Sequence, residues 1–291
     1  MSLREMTTLR GHQIVAIGRP GLDLTGEADA IAAAIIRERP DAIVSAAAFT
    51  AVDRAEKDAD VARRVNVRGA EAVAQAAKQL DVPLLHLSTD YVFDGRKETP
   101  YVESDPTCPT SVYGETKRDG EDAVRGRYDN VAILRTAWVY SPFGNNFPRT
   151  MLRLARERDE IAVVADQVGN PTSALDIATG LLAIAENLRK SDAAGLRGTF
   201  HMAASGSASW AEFAEAIFET SEHLGGPNAR VRHIETSDYP TAARRPANSR
   251  LDCTKLESIH GVRLPHWEKS ADAIVERLIR QAGREKGTNS K

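Results

Sequence analysis

An apolar run that breaks off in polar residues constrains this chain most. Leu84, Leu85 and Leu87 follow Pro83 and stop at Ser88-Thr89-Asp90. A short apolar stretch bounded in this way fits a strand buried on both faces of a parallel sheet. Ligands of open α/β sheets bind beyond the carboxyl ends of the strands, so Ser88, Thr89 and Asp90 are expected on the floor of a site. Further along, Tyr113-Gly-Glu-Thr-Lys117 follows Pro109 and Ser111. If the segment is helical from Ser111, Tyr113 and Lys117 project from one face. That pairing has a chemical use: a phenol is a poor acid at neutral pH, and an adjacent ammonium stabilises the phenolate and pulls its pKa down. Thr89 can then hold a substrate oxygen while Tyr113 gives or takes the proton. The spacing of Tyr and Lys alone is a weak motif; its position after a strand ending in Ser-Thr-Asp is what gives it weight.

The same strand pattern recurs. Asp41 to Ser45 follows Pro40 and runs on into Ala46, Ala47 and Ala48; Val131 to Arg135 and Gly198 to Ala203 are further strands. Between them, a helix is expected from about Asp58 to Leu80, with Val61, Val65, Val73, Ala77 and Leu80 on its buried stripe. Asn66 sits in mid-helix, where an amide is usually unfavourable. Later helices are expected over Arg149 to Glu157, Leu175 to Leu188, and Trp210 to Glu222, the last with Ser209 as N-cap. At the start, Ser2 and Glu5 read as a capping box and Gly11 as a stop after Leu9, followed by a strand from Gln13 to Ile17. His86, inside its strand, reads as a packed core side chain. The tail after Arg284 is polar and expected to be disordered.

With 42% apolar residues in 291, the chain can bury a sizeable core. Its net charge of -3, with the signs interspersed, argues against a nucleic-acid or membrane surface. Two cysteines, Cys108 and Cys253, make no disulfide framework or metal spacing and point to a reducing cytoplasm. No apolar run approaches the length of a membrane span.

Longer segments carry a resemblance. Leu87-Ser-Thr-Asp-Tyr-Val-Phe-Asp-Gly95, Val112-Tyr-Gly-Glu-Thr-Lys117, Arg135-Thr-Ala-Trp-Val-Tyr140, Gly144-Asn-Asn-Phe147, Asp166-Gln-Val-Gly-Asn-Pro-Thr172 and Arg245-Pro-Ala-Asn-Ser-Arg-Leu251 occur in order. Over about residues 13 to 270 the chain resembles the extended short-chain dehydrogenase/reductases, and within them the dTDP-4-dehydrorhamnose reductase family. The resemblance implies an α/β fold with a Rossmann-like doubly wound parallel sheet and a smaller C-terminal α+β substrate domain. Residues 1–141 with about 172–200 would form the dinucleotide-binding domain, 142–171 with 201–284 the substrate domain, and 285–291 a tail.

It implies reduction of the C4 ketone of dTDP-4-dehydro-L-rhamnose with hydride from NADPH or NADH. Thr89, Tyr113 and Lys117 would be catalytic. Arg19, Asp23, Leu24, Ala46, Ala47 and Ala48, with Tyr113 and Lys117, would hold the cofactor; Thr89, Asp90, Trp138, Asn146 and Arg245 would hold the nucleotide sugar. The polar loop from Asp166 to Thr172 would close over that sugar, and an Asn at position 66 would support the active-site backbone. A homodimer is the assembly to test. Some related reductases hold Mg2+ at a dimer contact, but one ligand position is Leu175 here, so no metal is expected.

One departure matters. The family begins with a strand and a glycine-rich turn that binds the cofactor pyrophosphate, and neither is present. That strand is central in a sheet of order 3-2-1-4-5-6. The expectation is therefore a chain truncated at its start. The alternatives are a non-catalytic member, like the regulatory beta subunit of methionine adenosyltransferase, and a reductase or epimerase of another 4-keto nucleotide sugar. A regulator has no need for Thr89, Tyr113 and Lys117 together.

Overall fold

A computed structural model describes residues 1–7 and 11–288. After a first helix, α1 (Ser2–Thr7), and a second, α2 (Ala28–Arg37), the chain enters strand β1 (Ile43–Ser45). Helical turns over residues 59–69 lead into α3 (Ala70–Leu80) and then β2 (Leu84–Thr89). Helix α4 (Val112–Arg127), β3 (Val131–Thr136), α5 (Phe147–Leu154), α6 (Ala174–Lys190) and β4 (Gly198–His201) follow. Helices α7 (Trp210–His223) and α8 (Trp267–Thr288) complete the principal elements.

The central sheet is parallel, in the order β1-β2-β3-β4, with Ser45 opposite His86, Thr89 opposite Thr136, and Arg135 opposite His201. Successive strand side chains point to opposite faces, and both faces here are covered. On one, Leu84 and Ile133 pack with Ile31 and Ile35 of α2 and with Val73 and Ala77 of α3. On the other, Leu85, Leu134 and Phe200 pack with Ile177, Leu181 and Ile184 of α6. This two-sided burial is why these strands read as apolar runs rather than as alternations. A third core joins Tyr140, Met151, Leu152, Phe213, Ile217, Trp267 and Ile274 from the α5, α7 and α8 region.

Three expectations fail here. Residues 13–17 form no strand, and Val15 and Ile17 lie exposed. A strand needs a hydrogen-bonded neighbour, and the only sheet partner of β1 among the described residues is β2. Ser2 lies inside α1 rather than capping it, and Glu5 turns to Arg277, whose guanidinium grips both its oxygens at 2.6 and 3.0 Å. The expected stop after Leu9 lies outside the described residues. At the other end α8 continues through Thr288, because Arg284, Glu285 and Lys286 are good helix formers. The tail expected from residue 285 is thus helical to 288.

Candidate active site

Helix α4 is fixed at its start by Ser111, whose hydroxyl accepts the Gly114 N–H at 3.2 Å. Two glycines let it press close: a Cβ at Gly114 would lie 2.2 Å from the Tyr91 carbonyl oxygen, and one at Gly120 2.1 Å from that of Asn66. Asn66 is buried and clamps the loop after β1 to α4. Its Oδ1 accepts Phe49 N–H at 2.8 Å, and its Nδ2 donates to Phe49 C=O and to the Thr116 hydroxyl, at 3.2 and 3.0 Å. The mid-helix amide is therefore a support for this backbone.

The clamp leaves Tyr113 and Lys117 buried on one stripe of α4, against the end of β2. Thr89 is buried there too, donating to Asp90 Oδ1 at 3.0 Å and accepting Tyr91 N–H at 3.2 Å. Burial pushes the Tyr113 phenol up to about 12, with the Thr89 hydroxyl pulling the other way. Lys117 donates to the Leu87 carbonyl at 2.7 Å, and burial brings its amine down to about 8 while the charge of Glu121 opposes this. The expected lowering of the phenol by Lys117 is not what this arrangement gives: desolvation dominates at Tyr113, and the amine is directed to a backbone carbonyl.

Asp90 is fully enclosed. Burial raises its carboxyl to about 6, and among the described residues its Oδ2 has no hydrogen-bond partner. The buried Thr136 hydroxyl, at the end of β3, is likewise unpartnered. Polar atoms left open at the carboxyl ends of two adjacent strands suit a ligand rich in hydroxyls. His86 is buried and held neutral by desolvation, its Nδ1 3.2 Å from the Ser45 hydroxyl, as a core side chain.

Trp138 follows β3 in a left-handed backbone conformation (φ 46°) and stacks on Trp210 with ring centres 3.6 Å apart. One of its faces is therefore used within the protein. Arg245, expected to be a diphosphate ligand, makes an ion pair with Asp53 at 2.7 Å. Asn146 is engaged within the protein. It caps α5 by accepting Arg149 N–H, and its amide donates to the carbonyls of Ser141 and Phe143 at 2.7 and 3.2 Å. The loop expected to close over the sugar is tied to the protein at both ends. Asp166 accepts from Thr236, while Asn170 donates to the Ala204 and Gly206 carbonyls and accepts Leu251 N–H.

The residues expected to hold the cofactor come from the segment before α2 and from the carboxyl end of β1. Arg19 and Asp23 are exposed and paired at 3.1 Å, Leu24 is buried against Gly69, and Ala46 and Ala47 are exposed beyond the end of β1. Among the described residues nothing forms a glycine-rich turn before them.

Three groups escaped notice in the sequence. Glu121, one turn beyond Lys117, is buried in a bidentate pair with Arg135. Trp210 read only as the start of a helix. Asp53, the partner of Arg245, carried no signal at all.

A parallel sheet covered on both faces, with Thr89, Tyr113 and Lys117 gathered at the end of one strand, defines a Rossmann-like protein of the short-chain dehydrogenase/reductase class. The family model described as "RmlD substrate binding domain" matches residues 1–280. The dTDP-4-dehydrorhamnose reductase of Sinorhizobium fredii is 51% identical over 92% of this chain and 90% of its own length. That of Escherichia coli K12 is 44% identical over 83% and 81%. A solved dTDP-4-dehydrorhamnose reductase from Clostridium acetobutylicum superposes with a TM-score of 0.88 at 33% identity, covering 95% of this chain and 94% of its own. One from Bacillus anthracis, in complex with NADP, gives 0.86 at 34% identity, covering 96% and 94%. The chain belongs to this RmlD family, the dTDP-4-dehydrorhamnose reductases.

Proposed function

We propose that this chain reduces the C4 ketone of dTDP-4-dehydro-L-rhamnose to dTDP-L-rhamnose. The observation that carries the reading is the burial of Tyr113 and Lys117 on one face of α4 against Thr89. A nicotinamide cofactor, NADPH or NADH, supplies the hydride when bound; Arg19, Asp23, Leu24, Ala46 to Ala48, Tyr113 and Lys117 are the residues proposed to hold it. Thr89, turning its hydroxyl proton from Asp90 to the ketone oxygen, fixes that oxygen beside Tyr113. The Tyr113 hydroxyl gives its proton to that oxygen as negative charge develops there, and a phenol held near 12 is well suited to stay protonated until then. Lys117, charged, stabilises the phenolate left behind. Asp90 and Trp138 meet the sugar, and Arg245 the diphosphate.

The test is loss of NADPH absorbance with dTDP-4-dehydro-L-rhamnose. The variant Tyr113→Phe should lower kcat by roughly two to four orders of magnitude, the usual worth of general acid catalysis. Undiminished turnover in that variant removes Tyr113 from the mechanism. A panel of other 4-keto nucleotide sugars, assayed alongside, reads substrate choice. Among the described residues no helix is long and apolar enough to cross a membrane. Unpaired Cys108 and Cys253 suit a reducing cytoplasm, and light scattering reads whether the protein is a homodimer.

A further inference from the structure

Trp138 and Trp210 are distant in the chain, yet their rings stack almost parallel, with planes 6° apart and centres 3.6 Å apart. Each comes from a different apolar core. Trp138, two residues past β3, packs against the cluster of Val92, Phe93 and Ala137. Trp210 opens α7 and packs with Phe147 and Phe213, its ring centre 4.7 Å from that of Phe147. Trp138 is confined by a second neighbour. A Cβ at Gly169 would lie 2.5, 2.7 and 2.9 Å from its Cε2, Nε1 and Cζ2, so the indole rests there on bare backbone. Gly169 and Trp210 are tied to each other. Val168–Gly169 pairs antiparallel with Ala208–Ser209, and Ser209 is the N-cap of α7, with Glu212 completing the capping box. The paired segments and the cap together set the gap in which Trp138 lies.

We propose that Trp210 is a positioning residue for the nucleotide sugar: by stacking on Trp138 it fixes the plane of the indole that the sugar meets. Thr136, two residues before Trp138, stands opposite Thr89 in the sheet register, so that plane is set at the edge of the same site. The backbone of Trp138 is left-handed, with φ 46°, a conformation that a bulky side chain keeps only where its surroundings hold it. A half-buried indole with no partner turns about its side-chain torsions, and a ligand that needs it in one place must order it on binding. The stack does that ordering in advance, with the extra attraction that paired aromatic rings supply beyond buried area.

The inference rests on the reading of Trp138 as a sugar contact, and its test uses binding rather than turnover. Wild type, Trp210→Leu and Trp210→Phe are titrated calorimetrically with dTDP-L-rhamnose and with dTDP, which lacks the sugar. Leucine keeps the position apolar but removes the flat ring, and phenylalanine restores one; thermal melts verify that both variants are folded. In Trp210→Leu the affinity for dTDP-L-rhamnose should fall about tenfold while that for dTDP holds, and Trp210→Phe should recover most of the loss. Equal weakening of both ligands would mean that the stack only joins two cores, and overturns the proposal. So does an unchanged affinity for dTDP-L-rhamnose in Trp210→Leu, or a wild type that binds it no more tightly than dTDP. A wild type that binds the sugar in this way but oxidises no NADPH would instead defeat the reductase reading and leave the role of Trp210 standing.

Discussion

At the scale of single residues, the site is governed by what burial does to ionisable groups. Asp90 has a folded pKa of about 6 against an ordinary value of 3.8. Because the folded value is the higher, the protonated carboxyl favours the fold below 3.8, and that contribution is lost as pH rises through about 6. Above that window the folded protein carries an enclosed carboxylate with one oxygen unpartnered. The variant Asp90→Asn should therefore be more stable than wild type at about pH 8, on the order of 1–3 kcal/mol or a few degrees in Tm. The gain should vanish near pH 4; thermal melts at both pH values check this, and no gain at the higher one refutes it. Which residues were legible in the sequence follows the same physics. Thr89, Tyr113 and Lys117 could be read because strand and helix periodicity bring them together. Glu121 and Arg135 could not, since a buried ion pair and a solvated one have the same letters. The capping role of Asn146 was not read although the signal was present: Asn before Phe147-Pro148 is a helix-start pattern.

At the scale of elements, the position of α4 decides whether the groups proposed to be catalytic meet. Its start at Ser111 was legible, as was the cap of α7 at Ser209, where the Glu212 carboxylate completes a capping box. The closeness of α4 to its neighbours was not, because a glycine inside a helix gives no indication of what it faces. A methyl group at Gly114 would collide with the Tyr91 backbone, which cannot swing aside as a long side chain could. The variant Gly114→Ala should push the start of α4 away from the turn after β2. Tyr113 would then move relative to Thr89, lowering kcat by at least about tenfold, with a stability loss of about 1–3 kcal/mol from overpacking. Steady-state kinetics and chemical denaturation measure the two; an unchanged kcat would mean that the helix start is not what holds Tyr113 in register. The expected strand over residues 13–17 failed at this scale as well. Its apolar run from Ile14 to Ile17 is a correct local signal, but a strand is a pairing, and a pairing needs a second partner.

At the scale of the whole molecule, the sheet region and the α5, α7 and α8 region have separate apolar cores, and polar contacts from the loop before Leu251 reach back to the segment after β1. The Asp53–Arg245 pair is the one that bears on function. Asp53 follows β1, while Arg245 and Ala243 come from the loop before Leu251, and both bond to the same carboxylate. No sequence pattern reveals a contact between residues so far apart in the chain. Both side chains are partly exposed, so the pair is worth little to stability. Its importance is competition: a guanidinium fork engaged by a carboxylate is the same fork proposed to engage a diphosphate. Removing the fork in Arg245→Ala should raise KM for the nucleotide sugar by about tenfold, the worth of one charge-assisted hydrogen bond, with little change in kcat or Tm. Asp53→Asn keeps an acceptor for the Ala243 N–H but releases the guanidinium, so its KM should stay level or fall. A KM that is unchanged in Arg245→Ala would remove the arginine from the diphosphate site. A KM that rises equally in both variants would mean that the pair serves by joining the two regions rather than by holding the ligand.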